Sequence, residues 1–535
     1  MSKTIKDFIS ELNELDKSKN SNNAAQRHSN TIKLLEAGDK LLNSAPTLKQ
    51  LIEEDKLRPR ISGKSYIREE YNGKVYKRPV IDLVQQGGTM LGIALLGYTY
   101  TMERAGVRFR SMAGTSAGAI NTLLLSALPE EIYKEASPFM EGRQAVKSEV
   151  LAYLVANKNF AEFLDRKGFI GWLQALLIKK VTMIGKRMPY FLIAFPLILL
   201  ATSFCIYTII NKKLFTSANG LEEGEIKVYD FITGTLGISA VFLFVLFLVF
   251  RLFKTNMGVN PGKVVYDWLT DILQTTYVNI HTTAGLKARK KKIVVSTDDN
   301  NAAPFNDPRI VIIAANLTHN RIVKFPENNK DYWHHEYVDL VAPATYVRAS
   351  MSLPFIFYAF IPRDKHIYKM DEIKKTISGS RYNPEATTSL HKLVRFVDGG
   401  MLSNFPIREF HVPPTAAPRY PTFGVLLGSG LLEAKPENKE TIDKKFWGES
   451  VFKYILSFIS TFRNFYDKDF VLTHPEFSQL VQAVDTKRFN SLDFGMQLKT
   501  KTELFEEGVK AAIKQLEVFN WDTYVPQRIE EAKKA

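Results

Sequence analysis

Apolar and polar positions alternate in different rhythms along the chain, and the changes of rhythm mark its parts. Over the first 76 residues the apolar positions recur at helical spacing. Ile5, Phe8, Ile9 and Leu12 line one face, and Leu34, Leu35, Leu41 and Leu42 another. Between them Lys17 to Asn30, rich in Lys, Ser and Asn, reads as a flexible linker. From Pro79 onward short apolar runs alternate with helical ones. Pro79–Val84 reads as a strand and the stretch ending at Gly106 as a helix. Val107–Ala113 reads as a second strand, and Ala117–Leu128, ended by Pro129, as a second helix. Ile310–Asn316, Leu393–Val397 and Phe423–Gly428 are further strand candidates. Such alternation predicts an α/β fold with a parallel or mixed sheet covered by helices. One strand breaks the pattern: Arg108 and Arg110 stand where a central strand is expected to be apolar, so the strand is either short, starting near Ser111, or open to solvent.

Residues 131–187 read as helical and increasingly basic. Met188–Asn211 and Phe231–Phe250 then contain no charged residue, and each is long enough to cross a bilayer core of about 30 Å as a helix. Tyr190, Tyr207 and Tyr229 lie near their ends, as interfacial aromatics do. Lys179, Lys180, Lys186 and Arg187 precede the pair and Arg251, Lys254 and Lys263 follow it. The positive-inside rule therefore places both flanks in the cytoplasm. The expectation is a multi-pass membrane protein with two spans. A net charge of +15 suggests an anionic partner, a membrane surface or nucleic acid. The two apolar runs select the lipid bilayer, and no nucleic-acid partner is expected. The single cysteine, Cys205, excludes an intrachain disulfide, and no Cys/His spacing suggests zinc. The first residues are charged throughout and lack the apolar core of a secretory signal.

Candidate chemistry centres on Gly114-Thr115-Ser116-Ala117-Gly118, a G-x-S-x-G pattern between a strand and a helix. The pattern suits a nucleophile elbow: Ser116 at the apex of a sharp turn, with Gly114 and Gly118 allowing the backbones to close up. Upstream, Gln85-Gln86-Gly87-Gly88-Thr89 opens another helix with a glycine turn whose free N–H groups suit an oxyanion site. Downstream, Val397-Asp398-Gly399-Gly400 ends a strand on a carboxylate.

Taken in order, these three motifs resemble the patatin-like phospholipase family. Val347–Phe357, with Ser350 and Pro354, resembles a further segment of that family, and Asp485–Phe494 with the helix after it resembles the family's closing elements. The resemblance runs from about Arg78 to about Glu517. It implies a three-layer α/β/α fold and a Ser–Asp dyad, Ser116 as nucleophile and Asp398 as base, with Gly87, Gly88 and Thr89 forming the oxyanion hole and no metal or cofactor. An exposed aspartate, pKa about 3.9, is a weak base; a desolvated one is stronger. The sequence departs from the family at two points: Thr89 takes the third glycine position, and Leu91 stands where Arg or Lys is commonest. His391 and His411 flank the Asp398 segment and keep a Ser-His-Asp alternative open, though a structural role suits them better; His334-His335 also reads as structural.

The implied organisation is an N-terminal helical arm (1–76), the first half of a catalytic domain (77–187), an inserted transmembrane hairpin (188–253), and the second half with C-terminal helices (254–535). The expected function is a membrane-anchored lipid acyl hydrolase on the cytoplasmic side, acting on phospholipid or another lipid ester. A non-catalytic lipid-binding or scaffold protein and a lipid acyltransferase are the alternatives.

Overall fold

The structure is a computed structural model, and it describes residues 3–16, 24–164, 258, 260–299, 304–354, 356–369, 394–412, 418–428, 467, 470, 474 and 479–534. Both uncharged runs, Met188–Asn211 and Phe231–Phe250, lie outside the described residues, as does His391. Among the described residues, no helix is long and apolar enough to cross a membrane.

The arm begins with helices α1 (Ile5–Asp16), α2 (Ala24–Asn43), α3 (Pro46–Glu53) and α4 (Leu57–Ser62). Residues 24–30, expected as linker, are already helical, because Arg27 and Thr31 bury one face of α2 beside Leu34 and Leu35. The arm packs on the body: Phe8 is fully buried and stacks on Tyr277 with ring centroids 5.0 Å apart.

The rest of the arm is not helical. Strands β1 (Ser65–Tyr71) and β2 (Lys74–Arg78) form a hairpin turned by Asn72 and Gly73, both at positive φ, and β5 (Val295–Thr297) pairs on the other edge of β1. Asn-Gly is the residue pair that a tight hairpin turn demands.

The main sheet has the order β10-β9-β3-β4-β6-β7. Its strands are β3 (Val80–Gln85), β4 (Arg108–Thr115), β6 (Ile310–Asn316), β7 (Arg321–Phe325), β9 (Thr422–Leu427) and β10 (Val481–Val484). Pairing is parallel from β10 through β6, and β7 is antiparallel to β6. A seventh strand, β8 (Phe396–Asp398), is also antiparallel to β6. The α/β class with a mixed sheet thus holds.

Helices α5 (Gly92–Arg104) and α6 (Ala117–Ala127) follow β3 and β4. Behind them come α7 (Lys147–Asn157), α8 (Lys263–Gln274), α9 (Thr283–Lys291), α10 (Ala344–Ser350), α11 (Leu498–Val518) and α12 (Trp521–Lys534). Neighbouring residues of β9 show the two faces. Phe423 meets Phe519, just past α11, edge to face at 4.9 Å, whereas Gly424 leaves room for Phe405 and Ile407. Phe405 and Ile407, from the segment after β8, therefore pack on that second face.

Strand β4 is neither short nor open. All eight of its residues are buried, arginines included. Arg108 makes two bonds to Glu69 of β1, at 2.6 and 3.0 Å, and lies 4.0 Å over the Tyr133 ring. Burial opposes ionisation of Glu69, but Arg108 and Arg78 outweigh it and hold the carboxyl below its usual range. Arg110 donates to the Tyr420 hydroxyl at 2.5 Å. A buried charge survives when it is paired and hydrogen-bonded, so the antiparallel hairpin supplies what the central strand lacks.

The chain leaves the described body after Leu164 and returns at Gly258. Phe163 and Trp268, on the two sides of this interval, have ring centroids 5.3 Å apart.

Helices α5 and α11 touch backbone to backbone. A Cβ on Gly508 would lie 1.9 Å from the Ala94 carbonyl oxygen, and one on Gly97 would lie 2.0 Å from that of Phe505. Gly508→Ala is expected to lower the unfolding free energy by about 3 kcal/mol, as overpacking does. Denaturant unfolding reads this directly. Val518→Ala, at a position 70% exposed, serves as the neutral control.

Candidate active site

Strand β6 brings the two distant motifs together. Its Ala314 pairs with Val323 of β7 and also with Asp398 of β8, so those two strands lie on opposite edges. The β8 edge is the one β4 occupies lower down, where Thr115 pairs with Ile313. Strands β4 and β8 therefore run toward each other along one edge of β6 and end on adjacent rungs. Rungs are about 3.3 Å apart, so Ser116, one residue past β4, and Asp398, the last of β8, emerge side by side.

Further bonds hold the meeting point. Ser116 N–H donates to Ser350 Oγ at 2.8 Å, and Asp398 N–H to the Ser352 carbonyl at 2.9 Å. The end of α10 and the turn after it thus grip both. Gly400 N–H donates to Asp398 Oδ1 at 2.8 Å and fixes the carboxylate. A Cβ on Gly399 would stand 2.3 Å from the Ile313 carbonyl oxygen, which explains the glycine after the aspartate.

Ser116 sits at φ 52° and ψ −114°, a backbone region unfavourable for a residue with a side chain. The strain is the elbow: β4 ends at Thr115 and α6 begins at Ala117. Gly118 is required because its Cβ would lie 2.5 Å from the Gln85 carbonyl oxygen, and Gly114 because its Cβ would meet the Gly118 carbonyl at 2.3 Å. Ser116 and Asp398 are both nearly buried, 6% and 4% exposed.

The glycine turn after β3 borders the same point, since a Cβ on Gly87 would come within 3.2 Å of Ser116 Cβ. Of the three residues expected to donate to an oxyanion, Gly87 is otherwise engaged: its N–H bonds the Asn404 carbonyl at 2.9 Å. The N–H groups of Gly88, Thr89 and also Ala117 have no acceptor among the described residues. Ala117, the residue after the serine, is a donor position that the elbow pattern implies. Thr89 adopts φ 52°, the backbone that a glycine in its place would take without strain.

Two supporting residues had no signal in the sequence. Asn404 returns a bond from Nδ2 to the Gly87 carbonyl at 3.0 Å, locking the turn in both directions. Asp467 in turn accepts from Ser403 Oγ, Asn404 N–H and Phe405 N–H, at 2.8, 2.6 and 2.7 Å. Its role is positioning, through Asn404, of the turn beside Ser116.

The described histidines stand apart from these contacts. His411 packs its ring on Phe470 and His474, and burial pushes it down to about 4. His334, His335 and Glu336 do come together, with possible ligand atoms within 4.8 Å of one another. His335 and Glu336 are exposed, and the cluster belongs to a loop after β7, outside the contacts around Ser116.

Burial pushes Asp467 up to about 6, and Asp82 likewise. The folded chain therefore holds these protons more tightly than the unfolded chain, where an aspartate titrates near 3.9. Stability from each is full below about pH 4 and is lost as pH rises to about 6. The unfolding free energy is expected to fall over that window by up to about 3 kcal/mol per carboxylate. Asp467→Asn should remove one such share, and an equally steep pH dependence in the variant would contradict the assignment.

The family model of the patatin-like phospholipases matches residues 83–411, which span the glycine turn, the elbow and the Asp398 strand. No curated protein matches the chain. Among solved structures, VipD from Legionella pneumophila is similar at 12% identity, with 85% of this chain and 70% of that chain covered and a TM-score of 0.30. So low a score transfers no property from one protein to the other. A match over well more than half of the sequence, with all three motifs inside it, makes this chain a member of the patatin-like phospholipase family.

Proposed function

We propose that the chain is a serine lipid acyl hydrolase working through a Ser116–Asp398 dyad, held to a membrane by its two apolar runs. Family membership supports lipid acyl hydrolysis in general. The observation that supports the finer reading is the head-on meeting of β4 and β8 on one edge of β6.

In this reading the Ser116 Oγ proton passes to the Asp398 carboxylate as the Oγ–C bond to the lipid carbonyl forms. The negative charge on the former carbonyl oxygen is met by N–H groups of Gly88, Thr89 and Ala117. Collapse expels the alcohol, which takes the proton from Asp398, and leaves an acyl-enzyme. Water then attacks, gives a proton to Asp398, and releases the fatty acid with Ser116 restored. No histidine is needed, because the carboxylate is fixed by Gly400 N–H and lies in a nearly buried position. The two uncharged runs, Met188–Asn211 and Phe231–Phe250, would keep the site at its insoluble substrate. Two spans also return the chain to the side where Ser116 precedes them, so that Asp398 can join it.

Fatty-acid release from mixed micelles by the full chain tests the dyad. Ser116→Ala and Asp398→Asn are each expected to cost about a thousandfold or more, with unfolding midpoints kept. Undiminished release in either variant rejects the dyad, and ester formation with an added alcohol would mark a transferase instead. For the anchor, a protease-cleavable tag near Gly220 is expected to be cut only from outside the cell; cutting from the cytoplasmic side rejects two spans.

A further inference from the structure

A cavity of 350 Å³ opens beside the chain entering β9 at residues 418–422, and α12 adds Tyr524 and Arg528 to its wall. It is separate from the dyad. Ser116, Asp398 and the glycine turn take no part in its lining. Arg110, which does, precedes Ser116 by six positions, or about 20 Å along β4.

Two buried arginines line this space with no acid to neutralise them. Arg110 is 6% exposed and Arg528 4%. Arg110 donates from Nη1 to the Tyr420 hydroxyl at 2.5 Å, and Arg528 from Nη2 to the Val412 carbonyl. Among the described residues these are their only hydrogen bonds, and neither arginine is in an ion pair. Both Nε atoms are enclosed without a partner. Arg110 Nη2 and Arg528 Nη1 also lack partners among the described residues but are not enclosed, so they open toward the cavity. Tyr420 accepts from Arg110 and keeps its own proton to donate, a proton that burial holds in place. The one carboxylate in the lining, Asp82, gives an oxygen to the Ser111 N–H at 2.8 Å, and burial pushes it up to about 6. At neutral pH it offsets at most one of the two positive charges. A buried charge without a pair is costly, and an anion in the cavity would supply the missing one.

Much of the remaining wall is apolar. Phe305, Phe410, Pro421 and Leu480 line it, and Arg419 lies 3.3 Å over the centre of the Phe305 ring. The Phe305 and Tyr420 rings are 5.9 Å apart. An inorganic ion would leave these surfaces facing water, whereas an apolar body joined to the anionic group would cover them. Guanidinium groups match the planar geometry of a carboxylate. Ligand sites elsewhere run from about 300 Å³ upward, so the volume suits a small molecule rather than a diacyl lipid.

We propose that this cavity binds a small organic acid, its carboxylate held by Arg110, Arg528 and the Tyr420 hydroxyl and its apolar body set against Phe305 and Leu480. An aromatic acid and a short-chain fatty acid share this chemistry. The site is distinct from the dyad, and the proposal stands whether or not the chain hydrolyses lipids.

Calorimetry on the full chain in detergent tests this with benzoate and hexanoate, with benzamide as the neutral match of benzoate. At least one of the acids is expected to bind, and benzamide to bind about tenfold more weakly than benzoate or less, the effect of losing charge-assisted bonds. Arg528→Gln, on the last helix, is expected to weaken the acid about tenfold or more. Arg110→Lys, which keeps the charge and loses the planar fork, should weaken it as well. Unfolding midpoints without ligand show which variants fold; should Arg110→Lys fail to fold, Arg528→Gln decides alone. Ser116→Ala is expected to bind the acid as the parent does. Tighter benzoate marks a ring as the natural body and tighter hexanoate a chain, and either supports the site. The proposal is overturned if neither acid binds, or if benzamide or inorganic phosphate binds as tightly as the acid. It is also overturned if a folded arginine variant binds the acid like the parent, or if Ser116→Ala abolishes binding.

Discussion

The site depends on one edge of one strand. Strand β6 offers its backbone bonds to β4 up to Ile313 and to β8 from Ala314 onward. A parallel partner and an antiparallel partner can share an edge only if one ends where the other begins. That condition fixes the places of both chain ends, and the ends carry Ser116 and Asp398. Close backbone contacts at Gly399 and Gly118 follow from the same crowding. The end of α10 and the turn after it add bonds to each side, and the Gly87–Asn404–Asp467 chain of bonds holds the glycine turn next to them.

The second theme is how the fold tolerates charge inside. Glu69, in a hairpin at the margin, compensates Arg108 in the middle of the sheet, with Arg78 joining them. Asp467 is buried but accepts three hydrogen bonds, two of them from backbone N–H groups. In each case the charge has a specific set of partners, and the polar groups do positional work: one ties the outer hairpin to the central strand, and the other shapes the turn beside the serine.

Much of this was legible in the amino-acid order, and the failures have physical reasons. Ile310–Asn316 was readable as a strand because a strand buried on both faces is a continuous apolar run. The elbow was readable because only glycine permits its close contacts. Arg108 and Arg110 misled, since their partners Glu69 and Tyr420 belong to remote elements and local pattern carries no trace of them. The β1–β2 hairpin did leave a signal, Asn72-Gly73, which the helical rhythm around it obscured. Asp467 left none: an isolated aspartate looks the same whether it faces water or three buried donors. Gly87 was readable as part of the turn but not as engaged, because its acceptor, Asn404, is more than three hundred positions away.

The contact between Phe163 and Trp268 has an evolutionary consequence. Residues that flank the excursion on either side thus touch, so closing it asks little of the body, and the entropy of closure grows only slowly with length. The intervening segment can be lengthened, shortened or exchanged with the strands that carry Ser116 and Asp398 left intact. What the intervening segment contributes and what the body does can then be acquired, tuned or lost as separate traits within one polypeptide.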